Sequence, residues 1–304
     1  MITLLSGRRI AVATSAPRGR VLSATALSAL LVLASTTAGA GPREQARRIH
    51  ERLAGVPPTE AVLADMQANV AASNATDAAY TAMDNSSFYS VTLKNFAAPW
   101  TNRDQSIFVP LNDYTATVIG MVRDDVPFNT LLSANLVYVG TGGGIPAYSP
   151  TSNDHYQALE DQNADLKARL TASSQTAVSG LPDSATAGVI TTRAAAEAFF
   201  VAGTNRAMFR FTLLNHLCRD MEQVLDTRGV PDRIRQDVSR SPGGDSRIFL
   251  NNCIGCHIGM DPLTQAFAYY TFDPVQARII YTPGVVQPKY FNNDATFPQG
   301  YRTP

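Results

Sequence analysis

The spacing of apolar residues predicts helices after the first forty residues of the chain. In "RRIHERLAGVPPTEAVLADMQANV" (47–70) apolar positions recur every three or four residues on both sides of Pro57-Pro58. Because proline has no N–H to donate inside a helix, the pair is expected to separate two helices. Thr59 then stands at the N-cap of the second helix, where its hydroxyl can accept a hydrogen bond from the first turn.

Three further segments extend the helical pattern. The stretch "PLNDYTATVIGMVRDD" (110–125) predicts a helix, "FNTLLSANLVYVG" (128–140) predicts one that ends at Gly140, and "HYQALEDQNADLKARLTASSQ" (155–175) predicts a charged amphipathic helix. Between them, the Gly- and Pro-rich "GTGGGIPAYSPTSN" predicts a loop, since it lacks the lysine of a phosphate-binding motif. A second polar linker is predicted at 173–188.

From Arg193 the pattern predicts a long helix to about Leu225, with a break near Gly203. Five of its residues fall on one face as an apolar stripe: Phe211, Leu214, Cys218, Met221 and Leu225. Cys218 is therefore expected to be buried as a small apolar side chain. Because two-residue alternation is scarce, the sequence predicts a mainly α fold, with a helical N-terminal region (41–190) followed by a small helical domain (191–304).

Length and charge narrow the classes of function. The chain has 304 residues, which is enough for cores that need no disulfide framework. Its 25 basic residues balance 25 acidic residues to a net charge of zero. Without a broad basic surface, nucleic acid is not an expected partner.

The first 40 residues predict an export signal. Arginines precede the apolar run "VLSATALSALLVL" (21–33), and small residues then lead to Ala38-Gly39-Ala40, which has the form of a cleavage site. The apolar run is short for a bilayer span, although an uncleaved anchor is the alternative and would be the chain's one expected contact with a membrane. We therefore expect an exported, periplasmic protein.

Cysteine is concentrated in one place. Two of the three cysteines, Cys253 and Cys256, are separated by two residues in "NNCIGCHIGM", and His257 follows directly. In a C-x-x-C-H motif each thiol adds across a vinyl group of haem, its hydrogen passes to the outer vinyl carbon, and the histidine binds the iron. Export is consistent with this chemistry, because c-type haem is attached after translocation. The motif predicts one covalently attached haem c in the 191–304 domain.

Zinc, a redox dithiol and chance are the alternative explanations of the cluster. A Cys3His zinc site would require Cys218 and His216 to join the two motif cysteines. Those two residues would have to converge from different faces of one helix. A thioredoxin-like dithiol normally lies in a βαβ unit, which the pattern does not predict. Haem is favoured over all three.

The segment "CIGCHIGMDPLTQAFAYYTFD" resembles the haem motif of the planctomycete-type cytochrome c proteins, a family of exported chains. In that family C-x-x-C-H is followed by a Met-Asp-Pro-Leu-like turn, here residues 260–263, and by an aromatic-rich segment. The stretches "AGVITTRAAAEAFFVAGTNRAMFRFTLLNHLCRDM" and "PFNTLLSANLVYVG" are also similar, while the long gap between "LCRDM" and the motif departs from the family pattern. The resemblance covers residues 110–275 and implies a haem-bearing electron-transfer module.

The second axial ligand of the iron stays open. After Met260 the chain contains no methionine or histidine, and Met260 itself is expected to be a core residue because it lies too close to His257 to reach the opposite haem face. His50 and His155 are expected at the surface. The ligand would lie beyond residue 304, be absent, or come from one of three upstream candidates: Met208, His216 and Met221.

The surroundings of the haem are also predicted. Nε2 of His257 is expected to bind the iron while Nδ1 donates to a backbone carbonyl. Asp261-Pro262 is expected to end the motif helix, because proline disfavours helical geometry at the residue before it. Two groups of apolar residues are expected to cover the macrocycle: Leu263, Phe267, Tyr269 and Tyr270 after the motif, and Phe211, Leu214 and Met221 on the long helix.

Together these features predict an exported monohaem cytochrome that carries electrons between redox partner proteins. A haem enzyme or sensor with an open sixth iron position is the alternative, because the expected downstream ligand is missing. A zinc-binding structural module is the third hypothesis. Electron transfer is favoured over catalysis, since no catalytic base or paired carboxylates accompany the motif.

Overall fold

A computed structural model describes residues 40–229, 234–235 and 237–287. These residues are mainly helical with two small antiparallel sheets, which confirms the predicted fold class. The predicted export signal (1–40) lies outside them, apart from Ala40. None of the helices in these ranges has the length and apolar character needed to cross a bilayer.

The helices are labelled in chain order. The α-helices are α1 (Pro42–Ala54), α2 (Glu60–Ala71), α3 (Ala75–Met83), α4 (Lys94–Ala97), α5 (Asp113–Arg123), α6 (Asp154–Asp161), α7 (Leu166–Arg169), α8 (Gln175–Ser179), α9 (Arg193–Phe199), α10 (Arg206–Leu217), α11 (Ser246–Ile248) and α12 (Ile254–Leu263). Two segments are π-helical, Phe88–Leu93 and Phe249–Cys253. Short 3-10 turns occupy Ala98–Thr101, Phe128–Thr130, Asp183–Ala185, Met221–Gln223, Pro242–Gly244 and Thr264–Phe267.

Helices α1 to α3 pack together around a small core of their own: Ala46, Leu63, Met66, Ala78 and Ala82. The predicted separation of α1 and α2 at Pro57-Pro58 is confirmed. Helix α1 ends where Gly55 takes the left-handed conformation (φ 73°), and Oγ1 of Thr59 accepts the N–H of Val62 at 3.3 Å to begin α2.

Helix α5 lies inside the largest core of the protein, and it confirms the helix predicted over 110–125. Its residues are buried without a break from Asp113 to Met121. Asn112 caps it by accepting the N–H of Thr115 at 3.0 Å. The core packs closely against this helix, since a Cβ built on Gly120 would lie 2.1 Å from Cδ1 of Tyr138.

The helix predicted over 128–140 is wrong. A 3-10 turn is followed by strand β1 (Val137–Gly140), which pairs antiparallel with β2 (Leu170–Ser173), Val137 lying opposite Ser173. A short apolar run fits either a helix or a strand, and here the β-branched and aromatic residues of β1 favour the strand.

The helix predicted over 155–175 is divided into α6, α7 and β2. Asn163 ends the first part by taking the left-handed conformation (φ 47°), and the carboxylate of Asp165 caps α7 by accepting the N–H of Lys167 at 2.9 Å. The connector predicted over 140–153 is a loop from residue 141 onward, since Gly140 is the last residue of β1.

The helix predicted from Arg193 to about Leu225 consists of α9, α10 and a 3-10 turn. Positive φ angles at Ala202, Gly203 and Asn205 interrupt it at the expected place. Helix α10 then ends at Leu217, because Cys218 takes the left-handed conformation (φ 50°). Cys218 is exposed, so its predicted burial on an apolar stripe is wrong.

The C-terminal part of the described chain is a hairpin of β3 (Tyr270–Asp273) and β4 (Arg278–Tyr281), which packs on α9. Tyr270 stacks on Phe200 with ring centroids 5.4 Å apart, and Ile279 is buried in the same core as α5. The largest core therefore contains residues from both sides of position 190. The predicted domain boundary at that position stays a prediction.

Candidate functional site

The cysteine cluster lies within a continuous run of helical backbone over residues 246–267. Asp245 caps its start, since the carboxylate accepts the N–H of Arg247 at 2.8 Å. Residues three and four apart in a helix share a face. Cys253, Cys256 and His257 are therefore presented on one side of this helical run.

Helix α12 continues beyond the point where the sequence predicted its end. Pro262 lies inside the helix, so the predicted termination at Asp261-Pro262 is wrong. Both carboxylate oxygens of Asp261 accept hydrogen bonds, and the Thr264 hydroxyl donates to the Asp261 backbone carbonyl at 2.9 Å. These contacts hold Asp261 in the helical conformation that the following proline disfavours.

Both motif thiols are free and half-buried. Sγ of Cys253 lies 3.8 Å from the backbone oxygen of Ile248, to which it can donate weakly. Burial raises the pKa of the Cys256 thiol, and the carboxylates of Glu222 and Asp220 raise it further. Redox-active dithiols depend on a lowered thiol pKa, so this environment disfavours the dithiol alternative.

The residues required for a Cys3His zinc site do not come together. Cys218 is exposed just after the end of α10, and the ring of His216 is turned toward the central core, where its Nε2 lies 2.8 Å from the Tyr114 hydroxyl. Among the residues that the structure describes, no group of three or more Cys, His, Asp or Glu side chains is arranged to hold a metal ion. This placement disfavours the zinc alternative.

His257 is held by a carboxylate one helical turn later. Its Nδ1 lies 3.2 Å from Oδ1 of Asp261. The predicted partner, a backbone carbonyl, is therefore wrong. A carboxylate can only accept a hydrogen bond here, so the imidazole donates from Nδ1 and carries its lone pair on Nε2 when it is neutral.

Asp261 is completely buried and accepts hydrogen bonds from two further residues. Arg206 donates to it from Nε at 2.7 Å and from Nη2 at 3.1 Å, and the backbone N–H of Arg235 donates at 2.9 Å. Burial opposes ionisation, but the hydrogen bonds from His257 and Arg206 outweigh it and lower the pKa of Asp261 to about 2. Arg206 also binds both carboxylate oxygens of Asp237, at 2.8 and 2.7 Å.

Apolar side chains border the motif on more than one side. A small core beneath it contains Ile234, Phe249 and Ile254. The segment after α10 passes close to the motif, since a Cβ built on Gly255 would lie 3.1 Å from Cδ2 of Leu225. Leu225 is 54% exposed and Leu263, on α12, is 59% exposed. Exposed apolar side chains of this kind are suited to contact a large apolar ligand.

Some of the residues predicted to cover a haem pack in or against the central core. Phe267 and Tyr270 pack against Phe200, and Phe211 stacks on Phe199 with centroids 4.9 Å apart. Their rings fill space between α9, α10 and the hairpin, and their role in covering a haem stays a prediction. Leu263 remains available on the surface of α12.

The three upstream candidates for a second iron ligand differ in their surroundings. Met208 is buried in the central core, and Nε2 of His216 is engaged with the Tyr114 hydroxyl. Met221 is buried in the 3-10 turn between Asp220 and Glu222, whose carboxylates act on the Cys256 thiol. The helix that carries Met208 and His216, α10, also packs against α12, so proximity to the motif helix does not by itself select one of the three candidates. Met260 is buried, as predicted.

His50 and His155 are buried, so their predicted surface positions are wrong. Nδ1 of His50 lies 2.8 Å from the Val56 carbonyl. Nε2 of His155 accepts the N–H of Gly140 at 2.8 Å, and Nδ1 donates to the Pro146 carbonyl at 2.7 Å. Both rings satisfy the backbone of the turns that follow or precede a helix, a role that hydrophobic patterning does not detect.

Sequence analysis also missed the roles of Asp261 and Arg206. The i, i+4 spacing of His257 and Asp261 is visible in the sequence and could have indicated their contact. Arg206 carries no such signal, because it is 55 positions away from Asp261.

Comparison of the chain with protein-family models, with curated proteins and with solved structures finds no match in any of the three. The resemblance to planctomycete-type cytochrome c proteins therefore stays a prediction.

Proposed function

We propose that the protein is an exported monohaem c-type cytochrome that transfers electrons between redox partner proteins in the periplasm. The observation that supports this best is the arrangement of the motif on a single helical face. Two half-buried thiols stand beside an imidazole whose Nδ1 is held by the buried carboxylate of Asp261. This is the set of side chains that covalent haem attachment requires.

The residues present fit a haem. Cys253 and Cys256 would hold it through two thioethers, and His257 would bind the iron through Nε2. Leu225, whose side chain lies close to Gly255 of the motif, and Leu263, further along α12, provide exposed apolar surface. Haem c, when bound, supplies a one-electron iron couple. The protein's own part is to fix the ring orientation of His257 and to limit the access of water to the motif.

Electron transfer is favoured over catalysis by the state of the charged groups near the motif. Asp261 and Asp237 both accept hydrogen bonds from Arg206, and Asp220 is paired with Arg210 at 2.6 Å. The hydrogen bond from Arg210 lowers the pKa of Asp220, and the pKa of Asp261 is also low, so these two carboxylates are poor general bases. They are suited to structural and electrostatic roles.

The absorption spectrum of the purified protein tests the proposal. The full chain would be produced with its own export signal and a c-type haem maturation system. We expect one haem per chain that survives acid–acetone extraction, together with the reduced-minus-oxidised bands of haem c. A colourless protein that contains stoichiometric zinc would overturn the proposal in favour of a zinc module.

A haem enzyme or sensor is the second candidate, because residues 261–304 contain no methionine or histidine that could serve as the second axial ligand. Carbon monoxide distinguishes the two functions. A six-coordinate electron carrier should bind it slowly after reduction, whereas rapid binding would favour an enzyme or sensor with an open iron position.

A further inference from the structure

We infer that Asp261 is a positioning residue for His257, which fixes the imidazole with Nε2 toward the iron and makes the haem harder to reduce. This inference rests on the proposed haem attachment. It assigns a role to the aspartate of the Met260-to-Leu263 segment, and it replaces the backbone carbonyl that the sequence led us to expect.

His257 and Asp261 contact each other across one turn of helix α12. His257 and Asp261 are four residues apart on α12, and Nδ1 to Oδ1 is 3.2 Å. The Asp261 side chain is fully buried, whereas the His257 side chain is 20% exposed. The carboxylate is thus fixed from the interior, and the imidazole extends from it toward the surface where the thiols lie.

The carboxylate itself has little freedom to move. Oδ1 accepts from Nε of Arg206 as well as from His257, and Oδ2 accepts from Nη2 of Arg206 and from the backbone N–H of Arg235. Donors on two other segments therefore fix both oxygens. An anchored acceptor determines the orientation of the histidine ring, because rotation of the ring would break a charge-assisted hydrogen bond.

The charges around Asp261 indicate how it acts on His257. The carboxylates of Asp261 and Asp237 both face the guanidinium of Arg206. The guanidinium of Arg235 lies 3.8 Å from the carboxylate of Asp261. Two positive charges thus balance two negative charges. The influence of Asp261 on His257 is therefore exerted through the direct hydrogen bond rather than through a net charge of the cluster.

A carboxylate that accepts the Nδ1 proton increases the electron density on Nε2, which makes the imidazole a stronger ligand. A stronger donor stabilises the ferric state relative to the ferrous state. The expected consequence is a lower reduction potential than the same haem would have with a neutral partner at Nδ1.

Asp261→Asn tests the inference in the haem-loaded protein. The amide removes the negative charge and weakens the hydrogen bond, so the equilibrium should shift about tenfold toward the reduced state, or about 59 mV for a one-electron couple. Covalent haem content is measured first in the unaltered protein. If that protein carries no haem, the proposed function fails; if it does, the variants test Asp261 separately.

Asp237→Asn is the matched control. It removes a negative charge that, like that of Asp261, is paired with Arg206. Within the part of the chain that the structure describes, Asp237 has no contact with His257. Its potential should remain close to that of the unaltered protein. An unchanged potential in Asp261→Asn, or an equal shift in both variants, would overturn the inference.

A measurement on the unaltered protein covers the case in which Asp261→Asn does not fold. In the reduced holoprotein the His257 Nδ1 proton should give a downfield signal in ¹H–¹⁵N NMR and exchange slowly with water. A proton that exchanges at the rate of a solvent-exposed imidazole would show that the carboxylate does not hold the ring.

Discussion

The hydroxyl of Tyr114 lies 2.8 Å from Nε2 of His216, although 102 positions separate the two residues in the sequence. The contact joins the start of α5 to the end of α10. Burial lowers the pKa of His216 to about 4 and raises that of Tyr114. At neutral pH the Tyr114 hydroxyl therefore donates a hydrogen bond to a neutral imidazole. Trp100 packs edge-on against the imidazole, with ring centroids 5.4 Å apart.

This half-buried imidazole should make the stability of the protein depend on pH. The folded-state pKa of His216 is about 4, below the value near 6.5 that it has in an unfolded chain. As the pH falls from about 6.5 to 4, the unfolded state takes up a proton first, so the contribution of His216 to stability is present above 6.5 and is lost across this window. His216→Gln, which cannot titrate, should reduce the slope of unfolding free energy against pH, as measured by urea denaturation.

Tyr114→Phe is the control for that experiment. It removes the hydrogen bond, at a cost of about 1 kcal/mol, but leaves an imidazole that still titrates. Its pH profile should stay parallel to that of the unaltered protein. Parallel profiles for all three proteins would show that His216 does not titrate differently in the folded and unfolded states.

Asp113 ties α5 to the first turn of α9. Its carboxylate accepts the backbone N–H groups of Arg193 at 2.6 Å and Ala194 at 3.1 Å, and it is buried. Asp113→Ala would leave these donors without an acceptor, so we expect the free energy of unfolding to fall by about 2–4 kcal/mol. Asp65→Ala, at an exposed position on α2, should change it by less than about 0.5 kcal/mol. Equal effects in chemical denaturation would contradict this role.

Gly120 permits close contact between α5 and strand β1. A Cβ at this position would lie 2.1 Å from Cδ1 of Tyr138, a ring that is itself buried. Gly120→Ala should therefore destabilise the protein by about 1–3 kcal/mol through overpacking. Gly143→Ala, in a loop where no atom lies within 4 Å of the added carbon, should leave the melting temperature nearly unchanged. A neutral Gly120→Ala would mean that Tyr138 can move aside at little cost.

The parts of the fold that sequence analysis predicted depend on local signals. Pro57-Pro58 and Thr59 determine the ends of α1 and α2 within a few residues of themselves. Strand β1 was missed because its pairing partner, β2, lies about thirty residues further along the chain. The end of α10 was missed because the left-handed residue there is Cys218, which takes this conformation without being a glycine.

In the candidate site, too, local features could be predicted from the sequence and long-range contacts could not. Cys253, Cys256 and His257 are recognisable from their spacing alone. The partner of His257 was assigned incorrectly, because the burial and anchoring of Asp261 depend on Arg206, which approaches from another helix. Proline at 262 predicted a helix end, and tertiary contacts at Asp261 override that local preference.

The three cysteines give a direct test of haem attachment. Cys253→Ala and Cys256→Ala should each leave a single thioether and one unreacted vinyl group, which shifts the α band of the pyridine haemochrome to longer wavelength. The double variant should carry no covalent haem. His257→Ala should retain covalent haem at reduced yield and lose the native axial spectrum, because the thioethers do not depend on the imidazole.

Cys218→Ala is the matched control, since Cys218 is exposed at the end of α10 and lies outside the motif helix. Its haem content and spectrum should equal those of the unaltered protein. The same change of residue thus gives opposite results at 218 and at 253 or 256 if the motif cysteines hold the haem. Loss of haem from the Cys218 variant would instead implicate that thiol in the site and would support a metal site that includes it.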